Sequence, residues 1–234
     1  MIFDHAPESM NVVRDQAFED FRKQGFPTKK VERYKYTDIQ KLFEPDYGVN
    51  LNRLQIPVEP YEAFHCDVPN LSTSLYFVVN DMFYHDDKPK GQRLRVGGQR
   101  PGILPEGVII GSMRDYPELV AKYYAKQAKT SEDAITALNT MLAQDGLLVY
   151  VPKNTKVDRA IQVINILKAT PQNAQRVVPD LMVNRRVLIV LEANAEIKML
   201  FCDHAADDRN FLATQVIEAY VGENASLDLY CMEE

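Results

Sequence analysis

One short pattern recurs three times in the second half of the chain. It runs aliphatic residue, two others, Asn, a small residue, one other, aliphatic residue. The copies are Val151-Pro152-Lys153-Asn154-Thr155-Lys156-Val157, Leu191-Glu192-Ala193-Asn194-Ala195-Glu196-Ile197 and Val221-Gly222-Glu223-Asn224-Ala225-Ser226-Leu227. A tight bend between strands often needs a residue with positive φ, and Asn is the best non-glycine residue for it. A small residue behind it lets a neighbouring segment sit close, and stacked bends allow Asn amides to bond from one level to the next. The asparagines are 40 and then 30 residues apart. Short strands, a recurring bend and a repeat of a few tens of residues predict a parallel β-solenoid. A β-sandwich whose turns share Asn fits the same three copies. Leu104-Pro105-Glu106-Gly107-Val108 reads as a degenerate earlier copy, with Gly in the place of Asn.

Around the repeat, apolar residues alternate with a period near 2. Strands are expected at 147–151, 161–167, 187–191, 197–201, 214–221 and 227–232. The last run, Leu227-Asp228-Leu229-Tyr230-Cys231-Met232-Glu233-Glu234, has no capping helix after it. Left uncovered, it would wet about three inward apolar side chains at roughly 1.5–3 kcal/mol each. It would also leave an open edge. The expectation is that a partner or a second copy covers this end, or that the sequence is a fragment of a longer protein.

The first half reads differently. Residues 9–24 have helical spacing at Val13, Ala17 and Phe21, with Ser9 as N-cap, Gly25 as the closing residue and Pro27 blocking continuation. Thr37-Asp38-Ile39-Gln40 predicts a capping box opening a short helix at 37–43. Residues 45–74, with four prolines, read as an irregular wrap. Leu75–Val79 and Met82–Tyr84 flank Asn80-Asp81 as a tight β connection, and 103–111 reads as a strand pair around a turn. Residues 115–143 read as helical, started by Asp115 and Pro117 and restarted near Ser131. The predicted organisation is a helical and extended region at 1–74, a mixed α/β segment at 75–146 and β coils at 147–234.

Charge narrows the function classes. The formal net charge of −6 disfavours general nucleic-acid binding. No apolar run approaches the roughly 18 residues of a membrane helix. The N-terminus lacks the basic and apolar regions of a secretory signal. Three widely spaced cysteines, Cys66, Cys202 and Cys231, make no disulfide framework and suggest a reducing cytosol. Gly97-Gly98-Gln99-Arg100-Pro101-Gly102 is glycine-rich, but Pro101 argues against a phosphate cradle. His65-Cys66, Cys202-x-His204 and Cys231 lack the spacing of a metal site. With the 30-residue offset Phe201 aligns with Cys231 and Cys202 with Met232, so the two cysteines point to opposite faces. Asp203, His204, Asp207 and Asp208 read as a solvated acidic turn rather than an acid–base site. In Lys29-Lys30-Val31-Glu32-Arg33-Tyr34-Lys35-Tyr36, the tyrosines are expected to dock on the domain with the lysines in water.

Three segments, in this order, resemble the SufD side of the SufB/SufD family of iron–sulfur cluster assembly proteins. The first is Gly25-Phe26-Pro27-Thr28 through Glu32-Arg33-Tyr34-Lys35-Tyr36-Thr37, with Tyr34 where the family usually carries Trp. The second is Ala137-Leu138-Asn139-Thr140 to Asp145-Gly146 and Val151-Pro152-Lys153, and the third is Val221-Gly222-Glu223-Asn224-Ala225. The resemblance implies a mainly β protein with an N-terminal α part, its core a right-handed parallel β-helix. It implies a non-catalytic scaffold subunit that pairs with a SufB-like subunit and a SufC-like ABC ATPase, or with a second copy of itself, in the cytoplasm. Such chains continue well beyond this length. The assembly-site His and Cys belong mostly to that later part or to SufB. No catalytic, cofactor-binding or metal residue is therefore assigned, and the cluster is handled by the assembled complex. A β-solenoid small-molecule binding module and a carbohydrate-active β-helix enzyme are the competing expectations.

Overall fold

The computed structural model describes residues 2–64, 72–85, 104–169 and 180–233. The expected His65-Cys66 pair, the 97–102 glycine stretch and Ile103 lie outside them. The N-terminal part holds α1 (Glu8–Asn11), α2 (Arg14–Gln24), α3 (Ile39–Leu42) and α4 (Pro60–Ala63). The β1 (Ser74–Val79), β2 (Met82–Phe83) and β3 (Ile109–Ser112) strands follow. Next come α5 (Pro117–Tyr123) and α6 (Ala134–Leu142). The remaining strands are β4 (Leu147–Val151), β5 (Ile161–Leu167), β6 (Leu181–Leu191), β7 (Glu196–Ala205), β8 (Phe211–Val221) and β9 (Ser226–Glu233).

The strands form two mixed sheets, ordered β2-β1-β5-β7-β9 and β3-β4-β6-β8. From β4 onward the chain visits the sheets alternately, and every pair among β4 to β9 is parallel. Among the described strands, antiparallel pairing is confined to β1 with β2 and β3 with β4. The bends between the sheets carry Asn154, Asn194 and Asn224 at φ 57°, 58° and 54°. Asn194 Nδ2 donates to Asn154 Oδ1 at 2.8 Å, and the Asn194 N–H donates to the Glu223 carbonyl at 2.8 Å. The three asparagines thus occupy equivalent bends, in the left-handed conformation that their side chains tolerate.

Strands covered on both faces need apolar residues at consecutive positions. Between the sheets, Leu147, Val149, Val187 and Ile189 meet Ile161, Val163, Ile197 and Phe201. On the far side of one sheet Leu148, Leu188 and Val190 pack under Met10, Val120 and Tyr124 from the helices. On the far side of the other, Leu75, Phe77, Ile164 and Cys202 pack under Phe64.

Several local expectations are corrected. The 9–24 helix is broken at Val12-Val13, so Ser9 lies inside α1, whose N-cap is Pro7. Gly25 does close α2, at φ 62° with its N–H on the Phe21 carbonyl. The cap of α3 is Asp38, whose carboxylate accepts from the Lys41 N–H, and not Thr37. Asp115 ends a 3₁₀ turn capped by Ser112, and the N-caps of α5 and α6 are Tyr116 and Asp133. Residues 104–108 form a turn before the single strand β3. Gly107 has φ 79°, but β3 runs antiparallel to β4, so this turn is not an equivalent of the Asn bends.

Candidate functional site

Two charged networks flank β6, and both begin at adjacent residues. Arg185 points between the sheets. Its Nη1 donates to both oxygens of Asp203 at 2.8 Å and its Nε to the Asn80 carbonyl at 3.2 Å. Asn165 Nδ2 donates to Asp203 Oδ1 at 2.7 Å. Asn80, at φ 56°, makes the β1–β2 turn and is held by paired bonds with Lys168. Asp81 follows it, partly buried, and lines a cavity of about 10 Å³ with Asn165, Arg185 and Gln215. That volume holds about one water. Burial pushes the Asp81 carboxyl up to about 6. Arg53 and Arg185 pull it down, and Asp145 adds to the rise.

Arg53 and Asp145 form the next layer. Their side chains are 7% and 4% exposed, with Arg53 Nη2 3.1 Å from Asp145 Oδ2. Ser112 Oγ donates to Asp145 Oδ1 at 2.7 Å. Burial still leaves the Asp145 carboxyl above its usual range, against the pull of Arg53 and Ser112. Arg53 sits at φ 48°, a conformation costly outside Gly and Asn, and its buried Nη1 has no hydrogen-bond partner among the described residues. Arg53, Ser112 and Asp145 form one wall of a cavity of about 1150 Å³, which Phe83 and the His85–Asp115 pair, 3.6 Å apart, face. This cavity joins apolar walls to a few convergent charges, the usual make-up of a small-molecule site.

Arg186 points the other way, under the helices. Its Nη2 lies 2.7 Å from Glu218 Oε2, with both side chains at most 1% exposed. Its Nη1 donates to Thr140 Oγ1 at 3.0 Å, and its guanidinium lies over the Tyr124 ring at 4.6 Å. Glu218 also accepts the N–H groups of Ala125, Gln127 and Ala128 at 2.9–3.1 Å. Burial alone would raise the Glu218 carboxyl. The Arg186 charge and those N–H donors outweigh it and hold the group below its usual range. The pair ties the α5–α6 link to β6 and β8. Gly146 permits the close approach, since a Cβ there would sit 2.4 Å from the Arg186 carbonyl oxygen.

The residues singled out in the sequence fall in several places. Cys202 is buried, and Gln162 Nε2 donates to its Sγ at 3.4 Å. Cys231 is exposed on β9. The register is Phe201 with Cys231 and Cys202 with Met232, so the two thiols do face opposite ways. Asp203 and His204 are not in a turn. They lie on β7, Asp203 on Arg185 and His204 edge-on to Phe64 at 5.1 Å. Asp207 Oδ2 accepts the Ala169 N–H at 2.9 Å. Tyr34 docks as expected, its hydroxyl donating to Asp133 at 2.6 Å, whereas Tyr36 is 90% exposed. Among the described residues no three His, Cys, Asp or Glu side chains are placed to share a metal ion. No described helix is long and apolar enough to cross a membrane. Arg53, Asp145, Arg185, Arg186 and Glu218 were missed. Their only sequence signal is the Asn184-Arg185-Arg186 run against an apolar strand.

The outer strands β8 and β9 each have one paired neighbour among the described strands. Val221, Leu229 and Tyr230 are 48%, 38% and 60% exposed there. The fold and its charged networks define a two-sheet, mostly parallel β protein with a helical N-terminal cover. Residues 1–163 match the family model described as the SufBD protein N-terminal region, and the chain belongs to the SufBD family. The iron–sulfur cluster assembly SufBD family protein ABCI8, chloroplastic, of Arabidopsis thaliana is 29% identical over 133 residues, 55% of this chain and 22% of that protein. The iron–sulfur cluster assembly protein SufD of Bacillus subtilis is 26% identical over 129 residues, 51% of this chain and 26% of that protein. Protein ABCI7, chloroplastic, of Arabidopsis thaliana is 24% identical over 220 residues, 92% of this chain and 42% of that protein. The chain therefore spans less than half the length of these relatives.

Proposed function

We propose that this chain is a non-catalytic scaffold subunit of SUF iron–sulfur cluster assembly, on the SufD side of the family. It pairs with a SufB-like subunit and a SufC-like ABC ATPase, and the cluster is cargo of the assembled complex. The observation that carries this reading is the family match over residues 1–163. In this reading the alternating strands are coils of a right-handed parallel β-helix. That hand is the one favoured wherever parallel strands are joined by a crossover. Two cysteines outside any disulfide, Cys202 and Cys231, fit a reducing cytoplasm.

The test is co-expression of the full-length protein with the SufB-like and SufC-like chains of the same genome. One complex containing all three is expected by size-exclusion chromatography with light scattering. Failure to co-purify with either chain refutes the assignment. A small-molecule binding module is the second reading, favoured by the cavity beside Arg53 and Asp145. A ligand that raises the melting temperature of the wild type but not of Ser112→Trp, which narrows that cavity, would favour it.

A further inference from the structure

The chain is acidic, yet one stretch of it is not. From Phe18 to Phe43 seven Lys and Arg face four acids, Glu19, Asp20, Glu32 and Asp38, a formal +3 within a chain of net −6. The same region holds half of the ten exposed large apolar side chains among the described residues: Phe18, Phe26, Val31, Tyr36 and Leu42.

The structure makes these residues one surface. Arg33 and Tyr34 both bind Asp133, at 3.0 and 2.6 Å, and Asp133 also caps α6 by accepting the Thr136 N–H at 2.7 Å. One face of the segment is thereby fastened to α6 and the other is turned outward. Phe26 bridges Phe21 of α2 at 5.2 Å and Phe43, beside α3, at 4.7 Å. Lys23, Lys30 and Lys41 are exposed and make no ion pair among the described residues.

We propose that this surface, from Phe18 to Phe43, docks an acidic protein segment bearing apolar side chains. Charge complementarity sets the sign of the partner, and exposed aromatic and Arg side chains are the usual anchors of protein interfaces. The interleaved acids decide the class. Glu32 holds Lys35, and Asp38 holds Lys29 at 3.0 Å, so the cations are punctuated by negative charge. A phosphate backbone or an anionic lipid sheet would oppose both acids, whereas a protein surface can present cations to them. The proposal does not depend on the SUF assignment.

The test uses the full chain, wild type and with Lys23→Glu, Lys30→Glu and Lys41→Glu combined, plus Tyr36→Ser. All four positions are exposed, and circular dichroism with the melting temperature checks that the fold is kept. The probes are a peptide alternating Glu with Leu and Phe, its Lys-for-Glu counterpart, phosphatidylserine-containing vesicles and a single-stranded oligoribonucleotide. The acidic peptide is expected to bind with an affinity that falls as salt rises and that drops about tenfold or more in the charge-reversed variant. Tyr36→Ser should weaken it further. Equal binding of the two peptides, or no effect of charge reversal, overturns the proposal. Tighter binding to vesicles or RNA overturns it as well. So does concentration-dependent self-association of the wild type that charge reversal abolishes, since the occupant is then a second copy.

Discussion

Asn194 tests the physical basis of the bends directly. Its φ of 58° puts Ala in the left-handed region, at a cost of about 1–2 kcal/mol. Ala would also remove the 2.8 Å amide bond to Asn154, which is exposed and worth about 0.5–1 kcal/mol net. The backbone bond from the Asn194 N–H to the Glu223 carbonyl survives either change. Asn194→Ala should therefore lose about 2 kcal/mol. Asn194→Gly loses the same amide bond but not the φ preference, so it should lose about 1 kcal/mol or less. Urea denaturation followed by circular dichroism gives both values, provided the slope m is unchanged. If the Ala variant is as stable as the Gly variant, conformation does not govern the bend and the account of the repeat fails.

Four further outcomes follow from the charged networks and the thiols. Arg186→Met leaves Glu218 buried and uncompensated and should cost about 3–5 kcal/mol, much of it recovered by adding Glu218→Leu; equal losses in the single and double variants would contradict this. Asp81 has its folded pKa raised from 3.8 to about 6, so its ionised form opposes folding, and stability rises as pH falls through 6 toward 3.8. Asp81→Asn should thus stabilise at neutral pH by up to about 3 kcal/mol and lose that advantage near pH 4, measured by urea melts across the range. Glu218 has the opposite sign: its lowered pKa contributes stability above the unfolded value that disappears as pH falls through the folded one, so Glu218→Gln should flatten the acid limb of the same profile. In a Cys66→Ser background, Cys231 should react with a thiol reagent in the native state and Cys202 only on unfolding, and rapid native modification of both would contradict their placement.

What the sequence made legible was whatever depends on neighbours in the chain. The period-2 runs located β4, β5 and β7 to β9, and the Asn spacing anticipated the register that sets Phe201 beside Cys231. Positive φ at Asn154, Asn194 and Asn224 followed from side-chain chemistry alone. The errors occur where a distant partner changes what a residue can tolerate. The expected strand at 187–191 covers only the apolar run and leaves out Arg185 and Arg186. Asp203 and Glu218 satisfy them, and β6 extends back to Leu181. Asp203 looked like part of an acidic turn for the same reason. The α1–α2 break was hidden because Val13 continues the helical spacing of Ala17 and Phe21.

Arg185 and Arg186 show why β6 matters more than its apolar residues suggest. Neighbours on a strand point to opposite faces. Two consecutive arginines therefore send one guanidinium between the sheets and one beneath the helices. Each meets a carboxylate on the strand that follows it or lies beside it, Asp203 on β7 and Glu218 on β8. Moving β6 by one residue, so that Arg185 takes the place of Arg186, would put Arg185 among Tyr124 and Thr140, send Arg186 into the apolar layer that Val187 fills, and leave Asp203 without its partner. An apolar core tolerates such a slip at the cost of packing, but a buried charge left unpaired costs several kcal/mol. The arginine pair thus fixes the register of β6 against β4 and β8. Through Asn80, which Arg185 holds, and Thr140, which Arg186 holds, it also fixes where the β1–β2 turn and α6 sit on the sheets.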